Sequence, residues 1–439
     1  MRIPSGGKWL VGAGVAGLLA AAAVPGQAAK APTGWGKPVL VSKSQANRET
    51  SLQVDPRNNR NQMICDPSGV PATGTGQSYF HLTNDGGKTW RYQDVEGAAT
   101  DTRNYAFEGG DCDVAFDAGG TIYTADTWLG DLSVGHSTDG GKTWDGTALS
   151  GTSPVIDRPW LVGGPKGTVY LSYHDLQCCS PAAMWFTKST DYGKTFSPAV
   201  PITVANNDGA FIWEGNFVVS PNGQDIDLVY SRRSSINGIS AGLGGESPMS
   251  LWLASSRNGG TTWTSTRIVN LGAETTTIYP QIGRDAGGML HIVWCAPASK
   301  GTPVYYSYSG NGGTTWHSPV VLRPGHTGWA PWVVGGKKRG EAAVAWLGSP
   351  DVKATQSTQS PWYFDWARVS IDKAGKPLVK TGSTTKDPIW FGKQTYPEFE
   401  MVALDNKGLM HLGMSVYQGN SPNSGKWSVW YQSETSTRH

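Results

Sequence analysis

Hydrophobic and polar positions alternate along this chain in one recurrent unit: an apolar run, a short polar turn, and a second apolar run. Seven such hairpins are legible, at Leu52 to Cys65, Val114 to Thr124, Trp160 to Tyr173, Phe217 to Tyr230, Ile282 to Trp294, Val333 to Trp346 and Met401 to Met414. Runs of this length bounded by Gly, Asp and Asn predict strands. A second unit follows most hairpins. It reads Ser137-Thr-Asp139-Gly-Gly141-Lys-Thr143-Trp144, and recurs with its Asp or Asn at positions 85, 139, 191, 258 and 311. The copies are 54, 52, 67 and 53 residues apart, a period that fits one four-stranded sheet per repeat. In such a turn the Asp or Asn side chain accepts backbone N–H bonds and Gly supplies a positive φ. The Thr hydroxyl ties the far side, and the aromatic residue packs into the sheet. These are turn-holding residues, not catalytic ones.

The sixth hairpin is followed by a decayed copy, Ser370-Ile-Asp372-Lys-Ala-Gly375. The seventh is followed only by Lys426 to Tyr431 before the chain stops, which leaves its sheet one strand short. Lys37-Pro-Val-Leu-Val41, ahead of the first hairpin, supplies the missing strand and ties the two ends together. The prediction is an all-β propeller of four-stranded antiparallel blades. It has seven blades and is closed by the N-terminal strand; a six-blade ring is the alternative if one irregular segment is an insertion.

Residues 1–29 read as a secretory signal: Arg2 and Lys8 charge its start, Trp9 to Val24 is its apolar core, and Pro25 to Ala29 is a small-residue cleavage site. The core is shorter than a membrane span, and no later stretch is long enough to be one. Residues 30–439 are then a single propeller domain, and the protein is expected to be secreted and monomeric. With 58 Gly, 20 Trp and 16 Tyr the composition favours short strands and turns. A formal net charge of +2, without a basic stripe, argues against nucleic acid as partner. Five cysteines in an oxidising compartment leave one over; Cys178 and Cys179 are adjacent, which favours Cys65 with Cys112 as the ordinary bridge. Asp111-Cys112-Asp113 sets oxygens at alternate positions, as calcium uses, but lacks the ligand density of a dedicated site, so no metal and no cofactor is expected.

The repeated turn resembles the Asp-box, or bacterial neuraminidase repeat, of sialidase-like propellers, which also occurs in other secreted carbohydrate-active propellers and in receptor domains. Five good copies span residues 83 to 316. The resemblance implies the fold, with the turns on a rim away from the pocket. For an active sialidase it further implies an Arg-Ile-Pro near the first blade, two more arginines on the substrate carboxylate, an Asp acid and a Tyr–Glu pair. The blades contain no Arg-Ile-Pro; the nearest echo, Asp157-Arg158-Pro159-Trp160, opens the third blade.

The residues before each first strand surround the mouth of a propeller's channel, and here nearly every blade offers a charged or aromatic group. Two carboxylates of different environment suit acid–base cleavage of a glycoside, and Asp157 and Glu214 are the candidates, with Tyr396 and Glu398 as a candidate nucleophile–base pair. Arg158, Arg232 and Arg233 suit an anionic sugar, and His174, Trp329 and Trp332 complete the candidate substrate contacts. Three readings stay open: an exo-glycosidase on a terminal, acidic or neutral sugar; a polysaccharide lyase using His174, Tyr173 and Arg232; and a propeller that binds glycan or protein without turnover.

Overall fold

A computed structural model describes residues 34–43, 49–68, 78–95, 109–128, 131–150, 156–175, 184–202, 212–233, 249–272, 279–355, 358–391, 399–418 and 426–435. Seven antiparallel sheets of four strands form seven blades of a β-propeller. The innermost strands are Glu49–Val54, Cys112–Phe116, Ile156–Gly163, Ile212–Val219, Gln281–Arg284, Thr327–Gly335 and Val402–Leu404. Each of the seven hairpins read from the sequence is the inner pair of one blade. The ring closes as anticipated: Val39–Ser42 pairs antiparallel with Lys426–Ser433, Val39 opposite Tyr431 and Leu40 opposite Trp430. A second tie lies at the same junction, where Phe399–Glu400 runs parallel to Glu49 and Thr50 of the first blade. The described residues include no helix long and apolar enough to cross a membrane.

The core lies between blades. Met63, Phe80 and Leu82 of the first blade pack against Val114, Phe116 and Ile122 of the second, and equivalent layers join later neighbours. Inner strands such as Gln62–Asp66 and Cys112–Phe116 are buried at every position because both sheet faces are covered, which explains their near-continuous apolar runs. The disulfide Cys65–Cys112 crosses the first of these layers; Cys295 is buried and free.

The Asp-type turns connect the third and fourth strands. Asp139 accepts from Lys142 N and Thr143 N at 3.0 Å each, from Thr143 Oγ1 at 2.7 Å and from Ser137 Oγ at 2.9 Å. Its slight burial alone would raise the carboxyl, but these donors bring it down to about 2. In the Asn copies the amide reverses one bond: Asn258 Nδ2 donates to Thr262 Oγ1 at 2.9 Å while its Oδ1 still accepts from Thr262 N.

The turns also join blades. The second Gly of a turn presses on the third strand of the preceding blade or on its neighbour: Gly141 on Leu82, Gly260 on Phe186, Gly313 on Leu253 and Gly87 on Tyr431 across the closure. At Gly87 φ is +83°, and an added Cβ would stand 2.1 Å from the Tyr431 ring. Gly87→Ala combines left-handed strain with overpacking. It is expected to cost about 2–4 kcal/mol, read as a lower denaturant midpoint at unchanged slope. An unchanged midpoint would show that the closure does not depend on this contact.

Candidate functional site

Three innermost strands carry one extra residue near the channel mouth. Asp157 and Trp160 stand opposite His174 and Ser172; Glu214 and Phe217 opposite Tyr230 and Leu228; Trp329 and Trp332 opposite Leu347 and Ala345. Each is a β-bulge, a device that re-aims the side chains beside it. Asp157, Glu214 and Trp329 are therefore equivalent positions on blades three, four and six. The bulged residue has φ +50° at Arg158 and +48° at Ala330. A non-glycine residue held there stores roughly 1–3 kcal/mol and persists only where its surroundings over-determine it.

Arg158 is so held. Its side chain is 1% exposed, and its Nη1 donates to Glu49 Oε2 at 2.9 Å and lies 3.7 Å from Asp111 Oδ2. Its backbone N–H donates to the same Asp111 oxygen at 3.2 Å, and its guanidinium lies 4.6 Å over the Trp160 ring. Glu49, Asp111 and Arg158 open the first, second and third blades, so this ion-pair group joins three blades at the mouth. Burial alone would raise the Asp111 carboxyl, but the Arg158 charge and hydrogen bonds with Glu49 and Asp157 hold it below the usual carboxylate range. Glu49, Asp111 and Asp157 thus gather around one guanidinium.

Glu214 has the opposite surroundings. It is fully buried, no described group lies within hydrogen-bond geometry of either carboxyl oxygen, and burial drives its pKa well above the ordinary glutamate value, opposed only by the nearby Ser172 hydroxyl. Beside it, Trp213 is partly exposed and meets Tyr279 edge-on, with ring centres 5.7 Å apart. The mouth thus sets Glu214, whose burial favours the neutral acid, and aromatic rings on the blade next to an Arg-bound carboxylate group.

The remaining candidates sit as follows. Arg232 is 7% exposed and lies over Trp252 at 5.4 Å. Trp329 is partly buried, whereas Trp332 is 5% exposed and packs on Trp160 at 5.3 Å. Little of the Trp332 ring is left open to a sugar. The Arg158 guanidinium faces Glu49 and Asp111, the arrangement of a group that organises carboxylates at the blade junction. Tyr396 and Glu398 lie outside the described residues, as do the side chains of His174 and Arg233. Glu49 and Asp111 are the additions of the structure; their position just ahead of a first strand was the signal that marked them. Among the described residues no set of three His, Cys, Asp or Glu is arranged to hold a metal.

Asp113, one turn of the pleat below Asp111, accepts from Leu161 N at 2.7 Å, Val114 N at 2.8 Å and the Ser51 hydroxyl. Burial nevertheless pushes its pKa up from 3.8 to about 6. A carboxyl whose folded value is raised stabilises fully below its unfolded value and loses that contribution as pH rises to the folded one. Stability should fall between about pH 4 and 6, by about 3 kcal/mol from this group. Asp113→Asn is expected to flatten that segment of the melting-temperature profile. A variant with the same slope as the parent would contradict this assignment.

The geometry defines an Asp-box propeller with an acidic, aromatic-lined channel mouth. The profile of the BNR repeat-like domain matches residues 35–292, more than half of the chain, and the chain belongs to that family. Comparison with curated protein sequences finds no match. Among solved structures, the Penicillium chrysogenum α-L-arabinanase complexed with arabinobiose is 15% identical with a TM-score of 0.50, over 91% of this chain and 98% of that one. A Dyadobacter fermentans protein of unknown function is 12% identical with a TM-score of 0.52, over 92% and 100%. The Ruminococcus gnavus intramolecular trans-sialidase is 14% identical with a TM-score of 0.47, over 89% and 95%. At these identities the likeness is one of fold.

Proposed function

We propose that the chain is a secreted exo-glycosidase that hydrolyses the bond to a terminal sugar of a glycan at the channel mouth. Glu214 is the general acid that protonates the leaving oxygen. The Asp111–Asp157 pair supplies the ionised carboxylate on the other side of the bond, and Arg158 keeps that charge in place. Trp213, Tyr279 and Trp329 provide ring faces and edges for the sugar. The carrying observation is that Glu214 is fully buried with neither carboxyl oxygen hydrogen-bonded, whereas Asp111 lies 3.7 Å from the Arg158 guanidinium; such surroundings push two pKa values apart, which is how acid and base roles are separated in glycoside cleavage. Export rests on the signal-like pattern of residues 1–29, and the substrate class is supported by fold likeness to an arabinan-acting enzyme.

The test is turnover of fluorogenic furanosides, pyranosides, uronides and sialosides by the purified protein lacking residues 1–29, with a cooperative melt as proof of folding. Release from at least one substrate supports the reading, and silence across the panel contradicts it. A second reading, glycan binding without cleavage, draws on one observation: Glu214 presents no exposed surface. Saturable binding on a glycan array together with a silent panel would establish it.

A further inference from the structure

The two Asn copies of the Asp-type turn share one run, Asn-Gly-Gly-Thr-Thr-Trp, at Asn258 to Trp263 and at Asn311 to Trp316. Asparagine is a thermolabile residue, and before glycine it is open to one reaction in particular. The glycine nitrogen, with no Cβ to hinder its approach, attacks the side-chain amide carbon, and the ring that forms opens with water. The same following residues give both copies the same intrinsic tendency. A difference between them comes from the fold.

Both turns hold the electrophile alike. Asn311 Oδ1 accepts from Ser309 Oγ at 2.9 Å and from Thr315 N at 3.0 Å, and Asn258 Oδ1 accepts from Ser256 Oγ and Thr262 N at the same distances. Two donors on one carbonyl oxygen stabilise the negative charge that develops there when its carbon is attacked. The Asn311 main-chain carbonyl also accepts from Thr314 Oγ1 at 3.0 Å, which draws charge from the Gly312 nitrogen and eases loss of its proton. The nucleophile is what differs. Gly259 is buried, and its N–H donates to Gln224 O in the inner turn of its blade at 3.0 Å. Gly86 and Tyr192 are tied in the same way in the first and third blades. Gly312 is exposed, and its N–H has no acceptor among the described residues. A third pair, Asn222-Gly223, is also tied, Gly223 N donating to Ser220 O at 2.8 Å.

We propose that Asn311 is a self-modifying site, which the folded turn converts to aspartate. The Gly312 nitrogen bonds to Asn311 Cγ, the bond from Cγ to the side-chain nitrogen breaks, and that nitrogen leaves as ammonia with the Gly312 proton. Water then adds at Cγ, the new bond breaks, and a proton returns to the Gly312 nitrogen. Water enters and ammonia leaves, with no other reactant. The donors on the Cγ oxygen direct the water to that carbon instead of the main-chain carbonyl. The product is the Asp form of the turn. Asn311 Nδ2 donates to Thr315 Oγ1 at 2.9 Å; an aspartate there accepts from the same hydroxyl, as Asp139 does from Thr143 Oγ1 at 2.7 Å. That form is also an end point. Asp139 precedes a glycine too, but it is ionised well below neutral pH, and a carboxylate resists attack by an amide.

Peptide mapping by mass spectrometry, after incubation of the folded protein at pH 8 in water enriched in oxygen-18, tests this, because the heavy oxygen marks each conversion. Asn311 is expected to take up label at least about fivefold faster than Asn258 or Asn222, the factor that one hydrogen bond of ordinary strength is worth. Fragmentation should place the label in aspartate and not in isoaspartate. In the urea-unfolded chain Asn311 and Asn258 should convert at the same rate. Equal rates at these two residues in the folded protein, a difference between them that persists in urea, or isoaspartate as the main product would each overturn the proposal. The comparison lies within one chain, so no variant has to fold for it to be decided.

Discussion

Replacing Arg158 with Met will destabilise the protein by about 3–5 kcal/mol, the usual cost of removing one partner from a buried ion pair. The substitution keeps the aliphatic stem but takes the Arg158 charge away from Glu49, Asp111 and Asp157 at the junction of three blades. Each then takes a proton or repels the next, and the left-handed backbone at residue 158 loses the contacts that hold it. The control is a triple variant, Arg158→Met with Glu49→Gln and Asp111→Asn. With only Asp157 left to compensate, it should recover much of the lost stability, a coupling that distant sites do not show. Urea midpoints of the parent, the single and the triple variant settle it. A single variant within about 0.5 kcal/mol of the parent, the range of ordinary surface changes, would show that Arg158 is not what holds the mouth together.

Glu214→Gln separates catalysis from stability. Gln cannot donate a proton to a leaving oxygen, so kcat on any substrate the protein cleaves should fall by about 10²–10⁴-fold, with KM little changed. Stability should move the other way. Glu214 has a raised folded pKa, so its contribution is complete below the unfolded value and is lost as pH rises. At neutral pH and above the neutral amide removes that loss, and the variant should melt no lower than its parent. Unchanged kcat would remove Glu214 from the chemistry. A lower melting temperature at pH 8 would show that its carboxyl makes a stabilising contact that the amide cannot.

The blades were legible because what defines them is local. A hairpin is written in some fourteen consecutive residues and an Asp-type turn in eight, so the repeats, their period and even the missing strand filled by Val39–Ser42 could be read directly. The site was legible only by position. The candidates were marked by their place ahead of each first strand, and Glu214 and Asp157 stand at equivalent bulges on neighbouring blades. What could not be read was pairing. Arg158 and Glu49 are 109 residues apart and belong to different blades, and nothing local distinguishes an arginine that will meet two carboxylates from one that will meet a substrate. The packing of Trp332 was hidden for a related reason. Its spacing from Trp329 puts it past a bulge, where it packs on Trp160 from another blade, and strand periodicity alone does not predict a bulge.

The central claim is that Glu214 stands neutral at the mouth beside an ionised carboxylate group. The infrared difference spectrum between the parent protein and Glu214→Gln at pH 7, in the region of the protonated carboxyl C=O stretch, tests it without needing a substrate. The account predicts a protonated-carboxyl band in the parent that disappears in the variant. A difference spectrum showing instead the loss of a carboxylate band would mean that Glu214 is ionised, and the proposed division of acid and base between the two blades would be wrong.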